Sequence, residues 1–299
     1  MQQKKVDKQH EQDTTPNNSD NLIRPNNSDD VQDGKDAPLN EKVEENVQEV
    51  VGKAEQEVER TRLPWYRASK RAYILIGIDA IVLVLFAVLA WFVHIHPVIA
   101  IDVTITREFQ ENQNPWLSGF MFAVSWLGYQ FILFTAIIVV TAIIFWVLHL
   151  RLEAIFIIAV NVVSTLLNGL IKVIVQRPRP SAHLVDILSA AGGQSFPSGH
   201  VMAYMAFFGL LFSFGIILFR RDRWWHYLFL IIPAAFVVLV GPSRIYLGDH
   251  WASDVLGAYL IGIALLSISL FIYLKLKERG VLSSPLEKGK HLFNVGYKR

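Results

Sequence analysis

Residues 153–180 read EAIFIIAVNVVSTLLNGLIKVIVQRPRP, and this stretch decides the fold. From Ala154 to Val175 the side chains are mostly apolar. As a helix the run is long enough to cross a bilayer, which takes ~20 residues for ~30 Å of hydrocarbon. Its end and exit then carry Lys172, Arg177 and Arg179, three cations beside Pro178 and Pro180. The prolines end the helix and stiffen the chain that leaves it. Charge is costly at the end of a membrane helix, so its default meaning there is function, and clustered cations mark an anion site.

Working outward, apolar runs over 72–94, 129–149, 200–219, 226–242 and 254–274 join 153–175 to give six spans. A shorter piece, Trp116 to Trp126 after Asn114-Pro115, reads either as an interfacial helix or as the start of the second span. A hydrophobic share of 53% against a charged share of 18% excludes an ordinary soluble domain. The expected fold class is therefore all-α, a polytopic membrane protein of six transmembrane helices. The absence of cysteine excludes disulfides, thiolate metal sites and a cysteine nucleophile.

Lysine and arginine in the connections set the orientation. One side collects Arg60, Arg62, Arg67, Lys70 and Arg71, then Arg151, then Arg220, Arg221 and Arg223, and finally Lys275, Lys277 and Arg279. That side is expected to be cytoplasmic, with both termini there and the protein in a bacterial-type plasma membrane. Trp91, Trp146, Trp224, Trp225 and Trp251 sit near span ends, as aromatic belts do. No secretory signal is expected, because the first apolar run starts near Ala72.

The N-terminal segment differs in kind. Residues 1–60 hold eight Lys+Arg against fifteen Asp+Glu, a net −7 that leaves +9 on the remainder. Three regions follow: an acidic, mostly disordered cytoplasmic tail over 1–62, a membrane domain over 63–280, and a short cytoplasmic tail over 281–299. Within the first, Val43, Val47, Val50, Ala54 and Val58 recur at helical spacing, either as a weak amphipathic helix or as a solvated one.

Two more clusters carry chemistry. Pro197-Ser198-Gly199-His200 leads into the fourth span. Ser198 suits an N-cap, Gly199 lets its N–H approach an anion closely, and a helix start offers free donors. The third cluster is Ser243-Arg244 followed by His250 and Asp254. The last two are four apart and share one helical face. A carboxylate on one ring nitrogen would fix the tautomer and leave the other nitrogen free to attack. A second imidazole, His200, can serve as general acid. Arg179 and Arg244 supply planar forks for phosphate oxygens, and Lys172 adds a compact charge. Taken singly, the clusters also read as a juxtamembrane anchor, a capped loop and a structural pair or half a metal site. Together they fall in order at helix ends on the side opposite the cytoplasmic cations.

The run KVIVQRPRP, then PSGH, then SRIYLGDHWASD, resembles the tripartite signature of the type 2 phosphatidic acid phosphatase (PAP2) family at every defining position. The resemblance covers roughly residues 70–275 and implies a PAP2-type helical bundle. It implies that His250 is the nucleophile and forms a phosphohistidine, that Asp254 orients it, and that His200 protonates the leaving group and then activates water. It implies phosphoryl binding by Lys172, Arg179, Ser198, Gly199 and Arg244, with no metal and no other cofactor. The implied substrate is a lipid phosphomonoester or diphosphate, such as undecaprenyl diphosphate, phosphatidylglycerol phosphate or phosphatidic acid. The bilayer is the other expected partner, and none is expected among nucleic acids.

Residues beside the signature have simpler expectations. Asn168 lies one turn before Lys172 and either holds its ammonium or bonds another helix. Arg177 reads as an outer cation meeting lipid headgroups, Asp249 as a carboxylate pointing into water, and Asp79 as a packing or hydrogen-bonding group. His94 and His96 alternate on a stretch read as non-helical and are expected at the interface. Two other functions use the same residues: a lipid phosphotransferase passing the phosphoryl group to another acceptor, and an anion or lipid-phosphate transporter.

Overall fold

A computed structural model of the chain describes residues 65–189, 191–218 and 224–282. The expectations for the acidic tail, for Arg220, Arg221 and Arg223, and for residues 283–299 lie outside these. All regular structure among the described residues is helical. The order is α1 (Trp65–Ile95), α2 (Ala100–Gln110), α3 (Pro115–Tyr129), α4 (Phe131–Val147), α5 (Arg151–Val175), α6 (Gly199–Leu218), α7 (Trp224–Tyr246) and α8 (Ala252–Glu278). In hydrocarbon every backbone polar group must bond internally, which leaves helices as the solution for apolar runs of this length.

Five helices, α1, α5, α6, α7 and α8, are each long and apolar enough to span, and α3 with α4 makes a sixth element bent by 70°. The bend has a local cause. Asn114 caps α3, its Oδ1 accepting from the Leu117 N–H at 2.8 Å with Pro115 following, and Gln130 then leaves helical geometry at φ −90°, ψ 72°. The stretch around Trp116 is therefore an independent helix on the site side of the break. The short α2 had no counterpart in the apolar pattern, because it is amphipathic and hydrophilic along one face.

α6 is the central helix and α1 lies at the periphery. The first half of α6 widens into a π-helical turn over Met205–Gly209. There Tyr204, Phe207 and Phe208 meet Phe134 of α4 and Phe236 of α7, with Phe208 stacked on Phe236 at 4.6 Å between centroids. Outward-facing side chains such as Ile132, Leu166 and Val173 are exposed, as a lipid-facing surface requires. Between helices already surrounded by apolar tails, packing and hydrogen bonds do the holding. Asp79 accepts from Ser267 Oγ at 2.8 Å, its expected hydrogen-bonding role. Glu153 accepts from Tyr273 at 2.7 Å and from Lys277 at 2.9 Å. Bonds of this kind contribute ~0.6–2 kcal/mol each.

α7 passes through two prolines, Pro233 and Pro242, and still continues to Tyr246, four residues past its expected end. Pro242 cannot donate to the backbone, so the Val238 carbonyl loses its helical donor, and the Tyr259 hydroxyl enters this turn, reaching that carbonyl at 3.4 Å. It accepts from the Gly241 N–H at 3.2 Å and donates to the Val237 carbonyl at 2.7 Å. A Cβ at position 241 would sit 2.6 Å from that oxygen, so glycine is required for the hydroxyl to enter. Ser243 and Arg244 are thereby held on a helix and not on a loop. Beyond the helix, Gly248 has φ +73° and packs against the Asp186 carbonyl, which a Cβ there would meet at 2.1 Å.

Candidate active site

All three clusters come to one end of the bundle. α5 delivers Lys172 and stops when Gln176 turns left-handed at φ 52°, after which Arg177 to Pro180 run without regular structure. The α6 start delivers Ser198, Gly199 and His200. The end of α7 brings Arg244, and the loop into α8 brings His250 and Asp254. A hydrogen bond from the Ser198 N–H to the Asp254 carbonyl, 3.2 Å, ties the second cluster to the third. Lys172 Nζ lies 3.8 Å from where a Cβ on Gly199 would stand, so Gly199 leaves the space between them open.

His250 is the centre, buried at 1% exposure. Arg179 Nη1 donates to its Nε2 at 3.2 Å and to the Asp249 carbonyl at 2.8 Å. A guanidinium can only donate, so Nε2 carries the lone pair and Nδ1 the proton. Nδ1 faces Asp254 Oδ2 at 3.5 Å and Ser195 Oγ at 3.4 Å. Burial pushes the His250 conjugate acid down to about 3, against the opposing pull of Asp254. The imidazole is thus neutral at ordinary pH. Asp254 is held by the Ser195 hydroxyl and by the Trp251 N–H at 2.9 Å.

Several buried groups of the clusters have spare capacity. Ser198 Oγ, His200 Nε2, Arg244 Nε and Asp249 Oδ1 are buried and have no hydrogen-bond partner among the described residues. Ser198 occupies the cap position without its hydroxyl bonding the helix, so the expected N-cap bond is not made. His200 is positioned by α3, where the Tyr129 ring meets it edge-on at 4.8 Å. A Cβ on Gly128 would fall 2.1 Å from His200 Cδ2, so the helix backbone itself forms that wall. Burial also pulls the Arg179 guanidinium below its ordinary range, a cost that a bound anion would offset.

Three expectations are corrected by burial, and for His94 the non-helical reading is corrected by the helix itself. Arg177 does not meet headgroups: it is 1% exposed and bonds Asp254 at 2.6 Å and Asp102 at 2.7 Å. Asp249 does not point into water but pairs with Arg244 and Tyr129, and burial pushes its carboxyl up against the Arg244 charge. Trp251 is not in an interface belt; it is fully buried with Arg177 over its ring at 6.0 Å. His94 lies within α1, where Nδ1 bonds the Val175 carbonyl at 2.9 Å. Asn168 donates to the Pro197 carbonyl at 3.1 Å and so bonds across helices. Tyr129, Ser195 and Asp102 were missed. Each is an isolated polar residue, and only Asp102, a carboxylate inside the run VIAIDVTI, offered a signal.

The PAP2 superfamily profile matches residues 151–278. Phosphatidylglycerophosphatase B of Bacillus subtilis is 30% identical over 185 residues, 60% of this chain and 87% of that protein. An undecaprenyl-diphosphatase of Sulfolobus acidocaldarius is 26% identical over 200 residues, 64% of this chain and 89% of the relative. The crystal structure of a transmembrane PAP2 type phosphatidylglycerolphosphate phosphatase from Bacillus subtilis superposes with a TM-score of 0.56 at 26% identity, covering 66% of this chain and 96% of that one. The chain belongs to the PAP2 superfamily.

Proposed function

We propose that the protein is an integral-membrane lipid phosphatase that hydrolyses a lipid phosphomonoester or diphosphate through a phosphohistidine on His250. One observation carries the reading: a neutral, buried imidazole whose Nε2 lone pair is met by Arg179, with Asp254 behind it and Lys172, Arg244, Ser198 and His200 at the same end of the bundle. In the first step Nε2 bonds to phosphorus as the bond to the leaving oxygen breaks, and protonated His200 gives that oxygen its proton. Asp254 steadies the positive charge that develops on the ring. Arg179, Arg244, Lys172, the Ser198 hydroxyl and the Gly199 N–H hold the equatorial oxygens. In the second step His200 takes a proton from water, which attacks phosphorus and frees His250 and inorganic phosphate.

The relatives' names supply two substrate classes, a diphosphate of a polyprenol and a phosphomonoester on a glycerol headgroup. The cation bias of the connections supports a site on the extracytoplasmic face of the plasma membrane, where the lipid would enter sideways between helices. The test is phosphate release from undecaprenyl diphosphate, phosphatidylglycerol phosphate and phosphatidic acid in detergent, with EDTA present, for wild type and His250→Ala. Turnover of at least one lipid that vanishes in the variant is expected. No turnover of any, or a strict metal requirement, contradicts the proposal; a phosphorylated acceptor in place of free phosphate identifies a transferase.

A further inference from the structure

Behind His250 lies a second charge system that the two-step reading leaves unused. Every nitrogen of the Arg177 guanidinium is engaged inside the protein. Nε donates to the Pro97 carbonyl at 2.9 Å, Nη1 to Asp254 Oδ1 at 2.6 Å and Ser253 Oγ at 2.7 Å, and Nη2 to Asp102 Oδ2 at 2.7 Å. Asp102 comes from α2, outside the segment matched by the superfamily profile. It is 1% exposed and also accepts from the Ser253 N–H at 2.9 Å and the Ser253 hydroxyl at 2.5 Å. One residue, Ser253, is therefore held by Asp102 beside the very carboxylate that faces the nucleophile.

The charges explain why two carboxylates flank one arginine. Asp102, Arg177 and Asp254 together carry −1 when His250 is neutral, and the sum reaches zero as positive charge develops on the attacking ring. With Arg177 and Asp254 alone, the carboxylate's charge would already be cancelled, and little field would remain for the imidazolium-like transition state. Asp102 takes up half of the guanidinium fork and leaves Asp254 partly uncompensated. We infer that Asp102 is a positioning residue for the phosphoryl transfer, acting through the buried Asp102–Arg177–Asp254 chain to keep negative charge on the carboxylate that faces His250. The inference rests on His250 being the nucleophile.

The test measures kcat and KM for a lipid phosphate in detergent, normalised to the folded fraction from a melting curve. The set is wild type, Asp102→Asn, Asp102→Glu, the double variant Asp102→Asn/Arg177→Met, and His250→Ala as control. Asp102→Asn keeps the shape and removes the charge, so kcat falls roughly tenfold or more while KM changes little, since the phosphate ligands are untouched. Asp102→Glu retains more kcat than Asp102→Asn. In the double variant Asp254 is again uncancelled, and kcat recovers above the single Asn variant. Wild-type kcat in Asp102→Asn, or a double variant no faster than it, overturns the inference. Should Asp102→Asn not fold, the double variant decides alone, because it restores the net −1 of the wild-type set, now carried by Asp254 with its Arg177 partner removed. Its kcat then stays within about tenfold of wild type, and a fall to the His250→Ala level overturns the inference. Activity surviving in His250→Ala would instead remove the underlying mechanism, whatever Asp102 does.

Discussion

At the scale of single residues, burial assigns the protonation state of the central imidazole. With its conjugate acid near 3, His250 is deprotonated throughout the pH range above about 4. The pre-steady-state rate of phosphoryl-enzyme formation should therefore show no loss attributable to His250 between about pH 5 and 8; a fall with a midpoint near the ordinary histidine value of ~6.5, traced to residue 250, would contradict this. Arg179 is a fork, not merely a charge, because it touches His250 Nε2 and the Asp249 carbonyl through one nitrogen and the Gly192 carbonyl at 3.0 Å through another. Arg179→Lys should cost about a hundredfold in kcat/KM at unchanged net charge, measured on the purified enzyme. The three clusters were legible in the sequence because each is a short motif on a helix end. The support around them was not. Arg177, Asp249 and Trp251 looked like surface groups, since a linear pattern of charge and aromaticity cannot show which side of a span end faces the protein.

At the scale of elements, two contacts between helices place the site. The Gly128 backbone walls His200, so Gly128→Ala should displace the imidazole and lower kcat by more than tenfold, with folding retained by circular dichroism. The Tyr259 hydroxyl bridges the Gly241 N–H and the Val237 carbonyl in the turn before Pro242 of α7. Tyr259→Phe should destabilise the protein by ~1–3 kcal/mol, seen as a lower melting temperature in detergent, and should loosen Arg244. Helix existence was readable from apolar runs of spanning length. The break at Gln130 and the extension of α7 to Tyr246 were not, because the apolar run continues through the first and two prolines interrupt the second. The short α2 escaped notice for the opposite reason: its buried residues, Asp102, Thr106 and Gln110, are polar.

At the scale of the whole molecule, every residue of the proposed transfer lies between Lys172 and Asp254, at or just beyond the ends of α5 and α7 and at or beside the starts of α6 and α8, with Asp102 behind them on α2. Removing residues 1–60 should leave detergent turnover unchanged, measured as phosphate release per enzyme. Sidedness can be read without background, because the chain has no cysteine. A cysteine placed at Ala182, on the site side, should react with an impermeant maleimide in intact cells, while one at Glu278 should react only after permeabilisation; the reverse pattern would invert the proposed orientation. The transfer through His250 is tested most directly by rapid quenching of the enzyme during turnover, digestion under alkaline conditions, and mass analysis of the peptide containing residue 250. A phosphoryl group on His250 that forms and decays at catalytically competent rates, and is missing from His250→Ala, is the predicted result. Full turnover with an unmodified His250 peptide at every time point, or activity that survives in His250→Ala, would contradict it.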